Sequence, residues 1–151
     1  MAIAKTNEIA DWFIRFAHEL SDPITNLRLQ KLMYYAQAWY LALNGERLIP
    51  DAFEAWVHGP VLPSVWERFS GYGWNPISEE VPEHRLPEEV ENHLREIMEA
   101  YGGFTTWDME RLTHAETPWL AARGDSDPHE PSTNVISEEE MKRFYAMRAA
   151  A

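Results

Sequence analysis

TNLRLQKLMYYAQAWYLALNG, residues 25–45, is the stretch around which this chain must fold. Leu29, Leu32, Met33, Ala36, Tyr40 and Leu43 recur at steps of three and four, the period of one helix face. The opposite side carries Tyr34, Tyr35, Ala38, Trp39, Leu41 and Ala42, so the helix is apolar almost all the way round. Such a helix escapes water only when other elements surround it. Thr25 is placed to cap the first turn, with Pro23 just outside, and Asn44-Gly45 tolerates the left-handed geometry of a helix end. Arg28, Gln30, Lys31 and Gln37 interrupt the run too often for a membrane span. The stretch reads as the central helix of a water-soluble core.

Upstream, residues 6–20 form a first amphipathic helix. Ile9, Phe13, Phe16, Ala17 and Leu20 share one face, with Asp11, Arg15 and Glu19 on the other. Ser21-Asp22-Pro23 stops it, because proline disfavours helical geometry in the residue before it. Downstream of Gly45 the period shortens. Residues 47–49 and 52–58 read as two short strands around Pro50-Asp51, with Gly59-Pro60 ending the second. Pro63 opens a third helix to Ser70 carrying Val65, Trp66 and Phe69, and Gly71 and Gly73 then leave Tyr72 and Trp74 in a loop. Residues 75–86, rich in Pro, Glu and Ser, suggest an exposed or poorly ordered connector.

A fourth helix from Pro87 presents Val90, Leu94, Ile97, Met98 and Tyr101 as one apolar stripe. A fifth, capped at Thr105 or Thr106, runs through Trp107, Met109, Leu112 and Thr113 until Thr117-Pro118 breaks it before a further turn at residues 119–123. The last opens on a Ser137–Glu140 capping box and turns Met141, Phe144 and Tyr145 inward. The expected fold class is mainly α (α+β): a compact bundle of about six helices around the central buried helix, with one small β-hairpin. Residues 1–151 read as a single domain with its core at about residues 7–145.

Composition narrows the function classes. The formal net charge is −12, and the 13 Lys and Arg residues are scattered singly rather than clustered for phosphate. Direct nucleic-acid binding is therefore not expected. The chain has no cysteine, which excludes disulfides and thiolate metal sites and fits a cytoplasmic protein. The N-terminus lacks the apolar run and cleavage site of a secretory signal, and no membrane partner is expected.

Glu54 and His58 share one face of the expected second strand, where they form either an acid–base pair or a hydrogen-bonded strand pair beside Trp56. No nucleophile, glycine-rich phosphate loop or second base accompanies them. His114 and Glu116 make an H-x-E without the cysteines that zinc deaminases require, and no H-E-x-x-H occurs. No catalytic residue, metal or cofactor is expected, and His18, His84, His93 and His129 read as solvated. The aromatics Trp56, Trp66, Tyr72, Trp74, Trp107 and Trp119 exceed the needs of a core this size. Core packing accounts for each singly, except that Tyr72 and Trp74, between glycines, equally suit partner contact.

LQKLMYYAQAWYLAL at residues 29–43, FEAWVHGPVLPSVWERFSGYG at 53–73 and LTHAETPW at 112–119 resemble the Panacea antitoxin domain, the SocA-like, phage-associated GepA-like family of small bacterial proteins. The closing pattern Asn134, Ile136, Ser137, Glu139, Met141 and Tyr145 is similar too. The resemblance runs from about Asn7 to Tyr145 and is most specific over Glu54 to Val61. It implies a non-enzymatic antitoxin of a type II toxin–antitoxin system, neutralising a cognate protein toxin encoded beside it by direct binding. Many relatives carry an added DNA-binding or other N-terminal region, whereas this chain opens on the domain's first helix, which weighs against operator binding.

The family pattern falls on Leu29, Gln30, Lys31, Leu32, Tyr35, Trp39, Glu54, Trp56, Gly59, Pro60, Val61, His114, Pro118 and Trp119. Leu29, Leu32 and Trp39 read as core, and Gly59-Pro60 as a strand terminator. Gln30, Lys31, Glu54, Trp56 and His58 are the polar or amphipathic positions, and with Tyr72 and Trp74 they make the candidate partner-binding set. Competing readings are a proteolytic adaptor delivering the toxin to an ATP-dependent protease, a phage-associated regulatory protein, and a small enzyme using Glu54 and His58. The terminal Arg148-Ala149-Ala150-Ala151 resembles a protease-read tail and equally suits a frayed helix end.

Overall fold

In the computed structural model, which describes residues 2–150, a short link joins α1 (Thr6–Glu19) to α2 (Asn26–Asn44). Thr25 Oγ1 accepts from the Arg28 N–H at 3.2 Å, and Gly45 closes α2 in the left-handed region at φ 71°. Leu29, Leu32, Met33, Tyr35 and Ala36 have no exposed surface. Each large apolar side chain removed from water contributes about 1.5–3 kcal/mol, so a helix buried on all sides anchors the body. Around it pack α1, α3 (Pro63–Arg68), α4 (Glu88–Tyr101), α5 (Thr106–Ala115) and, most extensively, α7 (Glu138–Ala150). The short α6 (Thr117–Arg123) lies on α7 and on a two-stranded sheet. The fold is mainly helical with one small antiparallel hairpin, and no helix among the described residues is long and apolar enough to cross a membrane.

The hairpin sits later in the chain than its sequence pattern suggests. β1 (Glu54–Trp56) pairs with β2 (Gly59–Val61) in the register Glu54↔Val61, Ala55↔Pro60, Trp56↔Gly59. Val57-His58 is the turn, so Gly59-Pro60 begins the second strand instead of terminating the first. Residues 47–49 are not a strand of this sheet: the N-terminal segment takes two of their carbonyls, Ile3 N–H donating to Arg47 at 3.1 Å and Ala4 N–H to Leu48 at 2.8 Å, and α2 takes three more backbone groups. Gln37 Oε1 accepts from the N–H of Leu48 at 2.8 Å and of Ile49 at 3.1 Å, and Gln37 Nε2 donates to the Ile49 carbonyl at 3.0 Å. The outer edge of β1 is covered from far along the chain. Ala55 N–H donates to the Asn134 carbonyl and Ile136 N–H to the Phe53 carbonyl, both at 2.8 Å. Buried Arg123 donates to the Ala55 carbonyl at 2.8 Å, and Trp119 Nε1 to the Trp56 carbonyl at 2.9 Å.

Several polar residues assigned to solvent lie inside. Asp11 is 3% exposed and is held by Arg68 and by His84, each at 2.7 Å. The connector 75–86 is a packed strap: Ile77, Val81 and Leu86 are buried, and Ile77 N–H donates to the Ile24 carbonyl at 2.8 Å. His18 Nε2 meets the Ile77 carbonyl at 2.9 Å. His93 is buried edge-on to Tyr40, with Nε2 at 2.8 Å from the Ala36 carbonyl. Burial lowers its pKa, which leaves the neutral ring as the favoured form, with Nε2 donating. Trp107 departs in the other direction: it stands 65% exposed while Met109 and Thr113 turn inward from α5. Ser137 Oγ accepts from the Glu140 N–H at 3.2 Å, but the Glu140 carboxylate pairs with Arg143. Of the terminal alanines, Ala149 and Ala150 end α7; Ala151, like Met1, lies outside the described residues.

Candidate partner-binding site

The polar residues of α2 hold the hairpin in place. Gln30 Oε1 accepts from the Leu62 N–H at 2.8 Å, and its Nε2 donates to Asn26 Oδ1 at 3.0 Å. Asn26 in turn donates to the Trp66 carbonyl at 3.0 Å. Lys31 Nζ donates to the His58 carbonyl and lies 4.0 Å from Glu110 Oε1. Neither Gln30 nor Lys31 has exposed surface, so both act beneath the surface on which partner contact places them. The close approach also explains Gly59. Its φ is 120°, and a Cβ there would lie 3.1 Å from Lys31 Nζ and 3.2 Å from Thr113 Oγ1.

Burial pushes the Lys31 ammonium down from its ordinary 10.5 to about 8, with Glu110 opposing the shift. Unfolding therefore takes up a proton between these two values, and raising pH through that window favours the folded state. Relative to a Lys31→Met variant, the wild-type protein is expected to gain stability steadily across the window. Urea unfolding of both proteins at several pH values checks this, and a constant difference would contradict it.

Over this base, Trp56, Val57, His58, Val61, Trp66 and Trp74 wall an open, largely apolar cleft of about 350 Å³, completed by Leu27 and by residues 131–133. The Trp56 and Trp66 rings meet edge to face at 5.8 Å, and the His58 and Trp74 rings at 6.5 Å. Trp74 is 72% exposed. Glu54 and His58 do not pair with each other. Glu54 Oε1 accepts from Trp56 Nε1 at 2.9 Å, while His58, carried round the turn, places Nδ1 3.3 Å from Glu110 Oε1. Tyr72 lies outside the cleft, half-buried beside Phe69, with its hydroxyl donating to Glu79 at 2.9 Å.

The H-x-E of α5 is likewise divided. His114 stacks on Trp119 with ring centroids 4.2 Å apart. Glu116 is buried, accepting from the hydroxyls of Tyr35 and Tyr145 at 2.8 Å each. Burial raises the Glu116 pKa, and the two hydroxyl donors oppose the rise.

Trp66, which the sequence reading gave to core packing, and Leu27, Val57, Val61 and residues 131–133 line the cleft although none stood in the candidate set. Val65 and Trp66 are neighbours, about 100° apart on a helix, so only one can face the core fully; that was the available signal for Trp66. Residues 131–133 carry none, since only the pairing of residues 134–136 with β1 brings them to the cleft.

Residues 29–120 match the family model described as antitoxin SocA-like, Panacea domain. The chain belongs to the SocA-like Panacea family. The matched span includes both strands, all three cleft tryptophans and every candidate contact residue. Among curated relatives, Antitoxin SocA of Caulobacter vibrioides (strain NA1000 / CB15N) is 43% identical over 65 residues. That segment is 43% of this chain and 35% of the relative, so the similarity spans about a third of that protein. No solved structure matches this Panacea chain.

Proposed function

We propose that this chain is the antitoxin of a type II toxin–antitoxin system, neutralising a cognate protein toxin by direct, non-enzymatic binding. The observation that supports this reading, beyond the family, is the tryptophan-walled cleft inside the family's span. Exposed tryptophan around a concave apolar surface is the composition of an interface hot spot. Trp56, His58 and Trp74 supply the contact surface, Glu54 its charged edge, and Tyr72 a flanking position. Gln30 and Lys31 support it from below. Glu54 and His58 are each engaged by another group, so they are not poised as an acid and base for one substrate.

Co-expression with each flanking gene product tests the proposal. One product is expected to arrest growth alone, and this chain to restore growth and co-purify with it. If no flanking product both arrests growth and co-purifies, the reading fails. Toxin half-life in cells with and without the ATP-dependent proteases separates the two modes of neutralisation. An unchanged half-life marks masking; a half-life shortened only when the protease is present marks delivery to it.

A further inference from the structure

We infer that the cleft receives an arginine side chain of the partner protein, stacked on the tryptophan faces and paired with Glu54; the inference rests on the reading of the cleft as the toxin contact. Glu54 does not line the cleft itself but stands half-buried beside it, two residues from Trp56 and paired across the hairpin with Val61, and it makes no ion pair among the described residues. Its carboxylate takes one hydrogen bond, from the Trp56 indole. Glu110, a second carboxylate near the cleft, is already faced by Lys31 and His58. Neither Lys nor Arg lines the cleft, and the chain carries a net charge of −12. The rim of the cleft therefore carries a carboxylate with no counter-ion among the described residues, and a partner's cation is the group that would complete it.

The apolar walls select the kind of cation. A guanidinium is planar, weakly hydrated and forked, so it leaves water more easily than an ammonium, lies flat on an indole and can grip a carboxylate through two N–H groups. The ring faces attract it through their quadrupole. Donation from Trp56 Nε1 to Glu54 adds to this, because a hydrogen bond to an anion polarises the donor and enriches its π system. A neutral apolar anchor would fill the same space but leave Glu54 desolvated without a partner, which carries a penalty.

The full chain is titrated with Ac-Leu-Arg-Leu-NH2 and with the same peptide carrying citrulline, which keeps the shape and lacks the charge. Indole N–H resonances are the readout, assigned through single Trp→Phe variants. The arginine peptide is expected to shift Trp56, Trp66 and Trp74 and to bind at least about fivefold tighter than the citrulline peptide. Glu54→Gln is expected to abolish most of that difference. Equal or undetectable binding of the two peptides overturns the arginine assignment, and so do shifts confined to other indoles. Adding the co-purifying toxin separates the layers of the proposal. If the toxin shifts the cleft indoles while the peptides bind alike, only the arginine assignment falls. If the toxin leaves them unmoved, the cleft is not its contact and both readings fall.

Discussion

Replacing Gln37 with leucine is expected to destabilise the protein by about 3–5 kcal/mol, although the change makes an apolar helix more apolar. By hydrophobicity alone the variant should be neutral or better, since position 37 is buried. The structure reverses that expectation. Gln37 supplies the acceptor for two backbone N–H groups and the donor for one carbonyl in residues 48–49, groups that the pairing of this segment with residues 3–4 leaves unserved. Leucine leaves each of them buried without a partner, at about 1–3 kcal/mol apiece. Denaturant unfolding reads the loss directly. Amide exchange should show Leu48 and Ile49 losing protection more than the core of α4. A loss below about 1 kcal/mol would mean that the segment finds other partners, and the account of how α2 replaces a strand would be wrong. Gln30→Leu, which strands the Leu62 N–H and the Asn26 carboxamide oxygen, belongs to the same class with a smaller effect.

Trp74→Ala should weaken the complex with the toxin by about 2 kcal/mol or more, roughly thirtyfold in Kd, while changing stability by no more than about 0.5 kcal/mol. The asymmetry follows from exposure. At 72% exposed, the Trp74 side chain gives the folded monomer little packing, and its recorded ring neighbour is His58. It can do its work only when a partner covers it. Trp107 is the matched control, because it is 65% exposed on α5 and does not line the cleft. Calorimetric titration with the co-purifying toxin, alongside thermal unfolding, measures both quantities for both variants. Wild-type affinity in Trp74→Ala would remove the cleft from the interface. A larger loss in Trp107→Ala would move the interface to the α5 face. Trp56→Ala is less clean, since its half-buried ring packs on Trp66 and donates to Glu54.

The candidate site divides along a physical line. Trp74 was singled out by its place beside glycine, and Trp56 and His58 as polar or amphipathic positions; the fold gathers these three around one cleft but leaves Tyr72, which shared the glycine argument, outside it. Gln30 and Lys31 looked like surface because sequence records polarity without recording what satisfies it. Their partners are backbone groups of Leu62 and His58, residues some distance along the chain and adjacent only after folding. Asp11 with Arg68 and His84 repeats the lesson on the far side of α1.

By itself the sequence determined the helical body. Apolar spacing over residues 25–45, the cap at Thr25, the left-handed close at Gly45 and the stripe on α4 are local features, and local periodicity is enough to say which face a helix must bury. Only the tertiary structure decided the hairpin register, the packed strap of residues 75–86 and the third wall of the cleft. Over residues 52–58 neither strand face is plainly polar, since Trp56 shares a face with Glu54 and His58, so alternation could not choose among registers. The choice came from long-range hydrogen bonds: Gln37 occupying residues 48–49, and residues 134–136 covering the free edge of β1.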